Sequence, residues 1–562
     1  MLQTNNIIHR ISTDKRFIFC LFMVVLLLLS AFMSYSYSPL YGGHDSYFHF
    51  RRFNALISAL NDGTFPSYID YDAMFGYGYL TKAFYSDLLL VPFAAMALFT
   101  SPVFAYQFMI FTMTVLCGIF TYMAVNRIYK NPLAALMTAI LYTFCIYKLL
   151  DTFQRGAIGE AFSFTFVPII FWGLYEIVKG DYRKWYILTI GYSLMIFTHL
   201  LSSVLMFITM IIILIICYKP LIKEPKRMIY LIIAGLASLL ILAYYLYPML
   251  EQMLSNTFYY QSKTIMSSPH DARLSNLSII QGLFSGIVQS RQLFLPGIGF
   301  MLTCTVALRI FVKGKSTALR SVDIGVIIGL FYIVATSFLF PWNIFPFNKL
   351  NFIQFPWRLY EFVSFFFALA GGYYLSQLLK TNKQKIIGVC MIVLGSMLVI
   401  VNDANYYLSD RSFYNIHAEP NDLNRYHLGG FEYLPAKVPH SEYFLDRGDS
   451  IWISNSNLIV NNLHRDKNIT SLDIKTGEKG QLELPLIYYK GYKAMINNQD
   501  IDITESSNGL VSINVKQSGR VEVWYAGTPV QKVSWYITLI GSLGLCVYIY
   551  LFNRKNKKER NA

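Results

Sequence analysis

Charge is what this sequence lacks. Only 14% of its 562 residues are Asp, Glu, Lys or Arg, against about 25% in soluble domains. That deficit excludes both a soluble enzyme and a disordered chain. Cysteine is also scarce. Cys20, Cys117, Cys145, Cys217, Cys304, Cys390 and Cys546 all fall in apolar blocks. None has CxxC spacing, which argues against a zinc site or a disulfide framework. The hydrophilic stretch near the C-terminus has no cysteine, as expected of an envelope that does not rely on disulfides, such as that of a Gram-positive bacterium. The first apolar block lacks a small-residue cleavage site, because Met33–Pro39 is bulky. It reads as an uncleaved span. No internal repeat is visible, and the centres of the apolar blocks are almost free of ionisable residues.

Apolar side chains are what the sequence has instead. They make up 55% of the chain, and the mean hydropathy is +0.42. They cluster in blocks of about 20, the length that crosses roughly 30 Å of hydrocarbon. The chain therefore reads as a polytopic α-helical membrane protein. Its net charge of +15 would point to nucleic acid in a soluble protein. Here the cations sit in short loops between spans, so they report orientation, and no nucleic-acid partner is expected.

Spans and cations alternate consistently. The first span, 17–37, follows Arg10, Lys15 and Arg16, which puts the N-terminus in the cytoplasm. Residues 38–104 form the first outer loop, with the short apolar stretch Leu88–Phe99 re-entrant or interfacial. Basic clusters then follow every second span: Arg127 with Lys130, Lys179 with Arg183 and Lys184, Lys219 to Arg227, Lys313 to Arg320, and Lys380 to Lys385. The block 185–218 is too long for one helix and is divided at His199–Ser203. The reading is a plasma-membrane protein of about twelve spans with both ends cytoplasmic. Residues 1–402 form the transmembrane domain, 403–531 an extracytoplasmic β-rich domain, and 532–562 the last span and its basic tail. Within the β-rich domain, Val511, Ile513 and Val515 alternate with polar residues, as do Val521, Val523 and Tyr525 beyond a Ser-Gly-Arg turn. That pattern predicts a hairpin with one buried face.

The chemistry-bearing residues gather in four places. The first is Gly42-Gly43-His44-Asp45-Ser46-Tyr47-Phe48-His49-Phe50-Arg51-Arg52. Beyond it Phe53, Leu56, Ile57 and Leu60 have i, i+3, i+4, i+7 spacing. They predict an amphipathic helix lying on the outer surface with its polar face in water. The second is Asp151 to Glu160, which includes Arg155. The third is Phe355-Pro356-Trp357-Arg358, and the fourth is His199. Each has an ordinary structural explanation: an N-cap for Asp45, a helix-dipole partner for Glu160, a snorkelling arginine for Arg358 and an interfacial histidine for His199. What they share is that the topology puts all four at the outer leaflet. Acids, arginines and histidines meeting there suit a lipid-phosphate sugar donor. Its leaving phosphate needs charge neutralisation, and the incoming hydroxyl needs a base.

Further stretches carry a resemblance. They are Gly63-Thr64-Phe65-Pro66, Gly76-Tyr77-Gly78, Phe84-Tyr85, Gly430-Phe431-Glu432-Tyr433-Leu434-Pro435 and Leu484-Pro485-Leu486-Ile487-Tyr488-Tyr489. With the first three places above, and taken in chain order, they resemble the bacterial membrane proteins called 6-pyruvoyl-tetrahydropterin synthase-related, close to the YfhO-like family. Both resemble the GT-C superfamily of polyprenyl-phosphate-dependent glycosyltransferases. The resemblance implies a GT-C-like fold with Asp45 as the catalytic or metal-binding carboxylate and Glu160, ahead of Asp151, as the second acid. Their place at the outer leaflet makes His44, His49, Arg52, Arg155, His199 and Arg358 candidates for binding the donor phosphate or sugar. A divalent cation, Mg or Mn, would sit on Asp45 and Glu160. Many GT-C enzymes have two adjacent acids in the first loop, whereas here His44 precedes Asp45, so metal dependence does not follow. A pterin-forming activity would need a three-histidine zinc site on a soluble segment, and no such spacing occurs.

The expected function is transfer of a sugar from a polyprenyl-phosphate donor to a cell-envelope polymer, a teichoic acid or wall polysaccharide, at the outer face of the bilayer. A transporter or flippase for a lipid-linked saccharide is the alternative, and a non-catalytic envelope scaffold is a third.

Overall fold

The computed structural model describes residues 15–262, 267–290, 293–409, 414–415, 431–440, 442–454 and 457–561. Arg10 of the first basic cluster and Gly430 of the resemblance lie outside the described residues. The chain packs as two compact units. One comprises 1–46, 107–238 and 267–416, and the other 47–106, 239–266 and 417–562.

Apolar length accounts for the helices. Among the described residues, six are long and apolar enough to cross a membrane: Arg16–Ser36, Pro102–Tyr129, Ile158–Val178, Thr317–Ala335, Asn382–Ser409 and Pro529–Glu559. Two bent pairs, Pro132–Thr143 with Ile146–Thr152 and Lys226–Ile241 with Ala243–Ser255, raise the number to eight. The sequence predicts about twelve, and several of the predicted spans fold as something shorter. Residues 185–218 form Tyr186–Thr198 and Leu200–Ile216, of 13 and 17 residues. Both fall short of the ~20 residues a straight crossing needs. Tyr360–Leu378 has every side chain from Tyr360 to Tyr374 buried. A helix that is apolar all round is a core helix when protein surrounds it, and this one is the centre of the first unit.

In that unit the Tyr360–Leu378 helix packs against Pro132–Thr143 and Thr317–Ala335. The first helix, Lys15–Ser36, buries Phe22, Leu26 and Met33 and exposes Val24, Leu27 and Leu28. Its end is tied down by Tyr37, whose hydroxyl donates to buried Asp403 at 2.5 Å and whose ring stacks on Phe153 at 3.7 Å. Asp403 belongs to helix Asn382–Ser409. That helix therefore continues past residue 403, where the sequence reading begins the β-rich domain.

The second unit holds a β-sandwich. Its strands are β1 (Trp452–Ile453), β2 (Ile459–Asp466), β3 (Ile469–Lys475), β4 (Gly480–Ile487), β5 (Tyr492–Ile496), β6 (Gln499–Ile501), β7 (Ile503–Glu505), β8 (Leu510–Val515) and β9 (Gly519–Tyr525). One sheet runs β6-β5-β9-β3-β2 and the other β7-β8-β4-β1, with antiparallel pairing. The predicted hairpin of 511–515 with 521–525 does not form. β8 pairs with β4, opposite Leu482 and Glu483, and β9 pairs with β3 and β5. Alternation tells which face of a strand is buried and not which strand it pairs with. Val511, Ile513, Val515, Val521 and Val523 do share one core, contributed from both sheets.

The amphipathic helix forms as Ser46–Asn61. Its apolar side is covered at Phe53 and Leu56, as expected, but the side expected to face water is buried as well, at His49, Arg51 and Arg52. Arg51 is neutralised by Asp70 through a two-pronged contact at 2.9 and 3.0 Å. Spacing reports where apolar side chains fall, and it says nothing of partners supplied from residues 62–106.

Ile513 sits at the middle of the sandwich core. Ile513→Ala should destabilise that module by ~2–5 kcal/mol. The check is a lower thermal midpoint in detergent, with Asn514→Ala on the exposed side of the same strand as the silent control.

Candidate functional site

The site is built on a five-residue loop, 153–157, between helices Ile146–Thr152 and Ile158–Ser163. Gly156 turns the chain there with φ +65°, and a Cβ on it would lie 1.7 Å from Ser46 Oγ. Gly43 meets the same loop, where a Cβ would lie 2.0 Å from the carbonyl oxygen of Gln154. Only glycine fits such an approach. The contact is closed by the Asp45 N–H, which donates to the Arg155 carbonyl at 2.7 Å. Backbone proximity thus brings the 43–46 segment against the 154–156 turn.

Arg155 is the hub. Its Nη1 donates to Asp151 Oδ1 at 2.5 Å and to Glu160 Oε2 at 3.1 Å. Its Nη2 lies 3.9 Å from Asp45 Oδ2. Burial opposes the Arg155 charge, but Glu160 and Asp151 outweigh it, so its pKa is raised well above the ordinary arginine value. Glu160 Oε1 accepts from the Tyr147 hydroxyl at 2.7 Å, and Arg358 Nε stands 3.5 Å from Oε2. His199 occupies the break between helices Tyr186–Thr198 and Leu200–Ile216 and caps the second one, accepting the Ser202 N–H on Nδ1 at 3.3 Å. Burial pushes its imidazole down to about 3, with Arg358 and Arg155 adding to the effect and Glu160 opposing it. His199 is therefore neutral at neutral pH.

Accessibility separates these groups. Glu160 is 1% exposed, and Arg155 and Arg358 are 9% and 11% exposed, whereas the Asp45 side chain is 49% exposed. A group that must meet a substrate has to be reachable, and among these acids that is Asp45. Glu160 instead holds two guanidiniums in place.

Of the residues expected from sequence, the structure brings Asp45, Arg155, Glu160, His199 and Arg358 together, and Asp151 joins them. His44 is exposed next to Asp45 in the chain. His49 and Arg52 belong to the second unit. There Arg52 donates to Asp87 Oδ1 at 3.0 Å and to the Ser86 carbonyl at 3.1 Å, contacts His49 Nδ1 at 3.2 Å, and lies 4.8 Å from the Tyr85 ring centre. Glu361, Ser163, Ser202 and Tyr147 are site residues that sequence reasoning missed. Glu361 had a signal: it is the one acid in an apolar helix, three residues after Arg358.

Among the described residues no group of three or more His, Cys, Asp or Glu could hold a metal ion. Both Glu160 oxygens already face donors: Tyr147 on Oε1, and Arg155 and Arg358 on Oε2. Asp45 and Glu160 do not make a cation site as they stand.

Comparison with known proteins adds little to this geometry. No family model matches the chain. A Lactococcus lactis subsp. cremoris (strain MG1363) protein, described only as an uncharacterized protein, is 24% identical over 256 residues, 43% of this chain. The match spans about 41% of that relative's length.

The burial contrast gives a stability prediction. Glu160→Gln removes the charge that pairs two buried guanidiniums and should destabilise the fold by ~3–5 kcal/mol. Asp45→Asn should change stability by no more than ~0.5 kcal/mol. Thermal midpoints of the two purified variants in one detergent decide the matter. Equal midpoints would remove the structural role given to Glu160.

Proposed function

We propose that the chain is a membrane glycosyltransferase that moves a sugar from a polyprenyl-phosphate donor to a cell-envelope glycopolymer at the outer face of the plasma membrane. One observation carries the reading: the half-exposed Asp45 carboxylate stands at the edge of a buried, ion-paired cluster that also contains Arg155 and Arg358.

Asp45 takes the proton of an acceptor hydroxyl. That oxygen attacks the anomeric carbon and forms the new C–O bond. The bond from the anomeric carbon to the phosphate oxygen breaks, and its electron pair leaves on the lipid phosphate. Arg358 neutralises the phosphate, because a guanidinium fork matches its oxygens. Glu160 and Asp151 keep Arg155 fixed beside Asp45.

A specific observation keeps the transporter alternative in view. Lys148 is buried in the bent pair Pro132–Thr143 with Ile146–Thr152, and among the described residues the hydrogen bonds of its Nζ are long, 3.4 Å to Thr114 Oγ1 and 3.4 Å to the Thr143 carbonyl. An ionisable side chain at a helix break is a common feature of transport pathways.

Asp45→Asn should remove the sugar substituent while the protein stays at wild-type abundance, a loss of ~100-fold or more in transfer. Compositional analysis of envelope polymers from a deletion strain, complemented with either form at matched level, provides the test. Full rescue by Asp45→Asn would reject Asp45 as the base and raise the transporter and scaffold readings above the enzyme.

A further inference from the structure

Glu361 lies one helical turn beyond Arg358 and is fully buried. Its Oε1 accepts from Ser163 Oγ at 2.5 Å, and its Oε2 meets Ser202 Oγ at 2.7 Å. Ser202 Oγ is also 2.8 Å from His199 Nδ1. Three helices and the His199 break are thus joined by one chain of polar atoms: Ser163, Glu361, Ser202, His199.

A hydroxyl has one proton to give, and that count links the two ends of the chain. When Glu361 is ionised it only accepts, so the Ser202 proton points to Glu361. His199 Nδ1 must then carry its own proton and donate it to Ser202 Oγ, which leaves Nε2 a bare acceptor. When Glu361 carries a proton on Oε2, it donates to Ser202 Oγ, while the Ser163 hydroxyl stays a donor to Oε1 or to the Glu160 carbonyl 2.6 Å away. The Ser202 hydroxyl and amide N–H then both point at Nδ1, and the ring proton sits on Nε2 as a donor. The ring is neutral in both cases, so the exchange is between tautomers and not between charge states. The amide contact at 3.3 Å fits the second arrangement, in which Nδ1 accepts.

We infer that Glu361 is a positioning residue that, through Ser202, sets which nitrogen of His199 bears the proton, and so whether His199 offers a donor or an acceptor to an anion bound beside Arg358. The inference rests on the proposed reading for the identity of that anion, the phosphate of a lipid donor. The groups that face Glu361 are Ser163 and Glu160 on Ile158–Ser163, Ser202 on Leu200–Ile216, Asp151 on Ile146–Thr152, Arg358 on its own turn, and Cys117 and Tyr142 on their helices. Among the described residues, Ser202 is the one whose side chain bonds to both Glu361 and His199.

The test is binding of undecaprenyl phosphate to the purified full chain across roughly pH 5–9. Wild type should bind about tenfold more tightly at the low end, where Nε2–H donates to the phosphate. Glu361→Gln, whose amide donates to Ser202 at every pH, should keep the tight value throughout. Ser202→Ala should lose the pH dependence altogether. A wild-type pH profile in either variant overturns the relay. If wild type binds undecaprenyl phosphate at no pH, the lipid-phosphate reading fails, and the relay is judged by infrared spectroscopy alone. A protonated-carboxyl C=O band that titrates, disappears in Glu361→Gln and shifts in Ser202→Ala supports it. A band unmoved by Ser202→Ala overturns it.

Discussion

The first unit's site depends on the burial of one guanidinium. Removing Arg155 from water carries a desolvation penalty that a single carboxylate does not reliably offset. The fold supplies Asp151 and Glu160 at hydrogen-bonding distance and Asp45 just beyond it. Asp151 and Glu160 flank the turn that carries Arg155 and Asp45 comes from the 43–46 segment, so the charge is fully met only when that segment is docked on the turn. Gly43 and Gly156 make that possible, since any side chain at either would push the 43–46 segment off the 154–156 turn. A network of this kind is stiff, because every member leaves another unsatisfied if it moves.

The same solution recurs in the second unit with different residues. Arg51 meets Asp70, and Arg52 meets Asp87 and the Ser86 carbonyl, all under cover. These pairs fix helix Ser46–Asn61 against residues 62–106. Arg52 has aromatic rings close by, with Phe48 5.8 Å and Tyr85 4.8 Å from its guanidinium carbon. A cation enclosed in this way is held by its surroundings, which makes anchoring the more economical account of Arg52 than ligand capture.

Much of this was legible in the sequence, and what was not has physical causes. The low charge and the ~20-residue apolar blocks announce membrane-crossing helices. The six long apolar helices each coincide with one of the apolar blocks, the first with 17–37. The further predicted spans fall on helices that are bent, shorter than 18 residues or, like Tyr360–Leu378, buried by protein, and composition cannot tell lipid from protein. Asp45, Arg155, Glu160, His199 and Arg358 were found because ionisable residues are conspicuous among apolar ones. Glu361 was passed over as part of a span, and Ser163 and Ser202 are too common to stand out. Strand pairing was misread at 511–525 because alternation is shared by hairpins and by strands that cross between sheets.

The arrangement bears on the choice between surface chemistry and transport. Alternating access requires a site whose exposure switches, and so an element with two comparable packings. Here most of the polar contacts fall within 147–160, a single turn and its flanking helices, closed by Tyr147, Asp151, Arg155 and Glu160. Residues so near in sequence move together, and a rocking of one half of the molecule against the other would carry the cluster along intact. The partners from farther away, Arg358, Glu361 and His199, join through Glu160, Ser163 and Ser202, and each leaves a buried charge or hydroxyl behind if it departs. A preorganised cluster with one reachable carboxylate at its edge suits a reaction that develops charge at a fixed place. Lys148 stands outside that cluster, a buried cation held by contacts of 3.4 Å to Thr114 and the Thr143 carbonyl, and it is the feature of the first unit that a transport pathway would use.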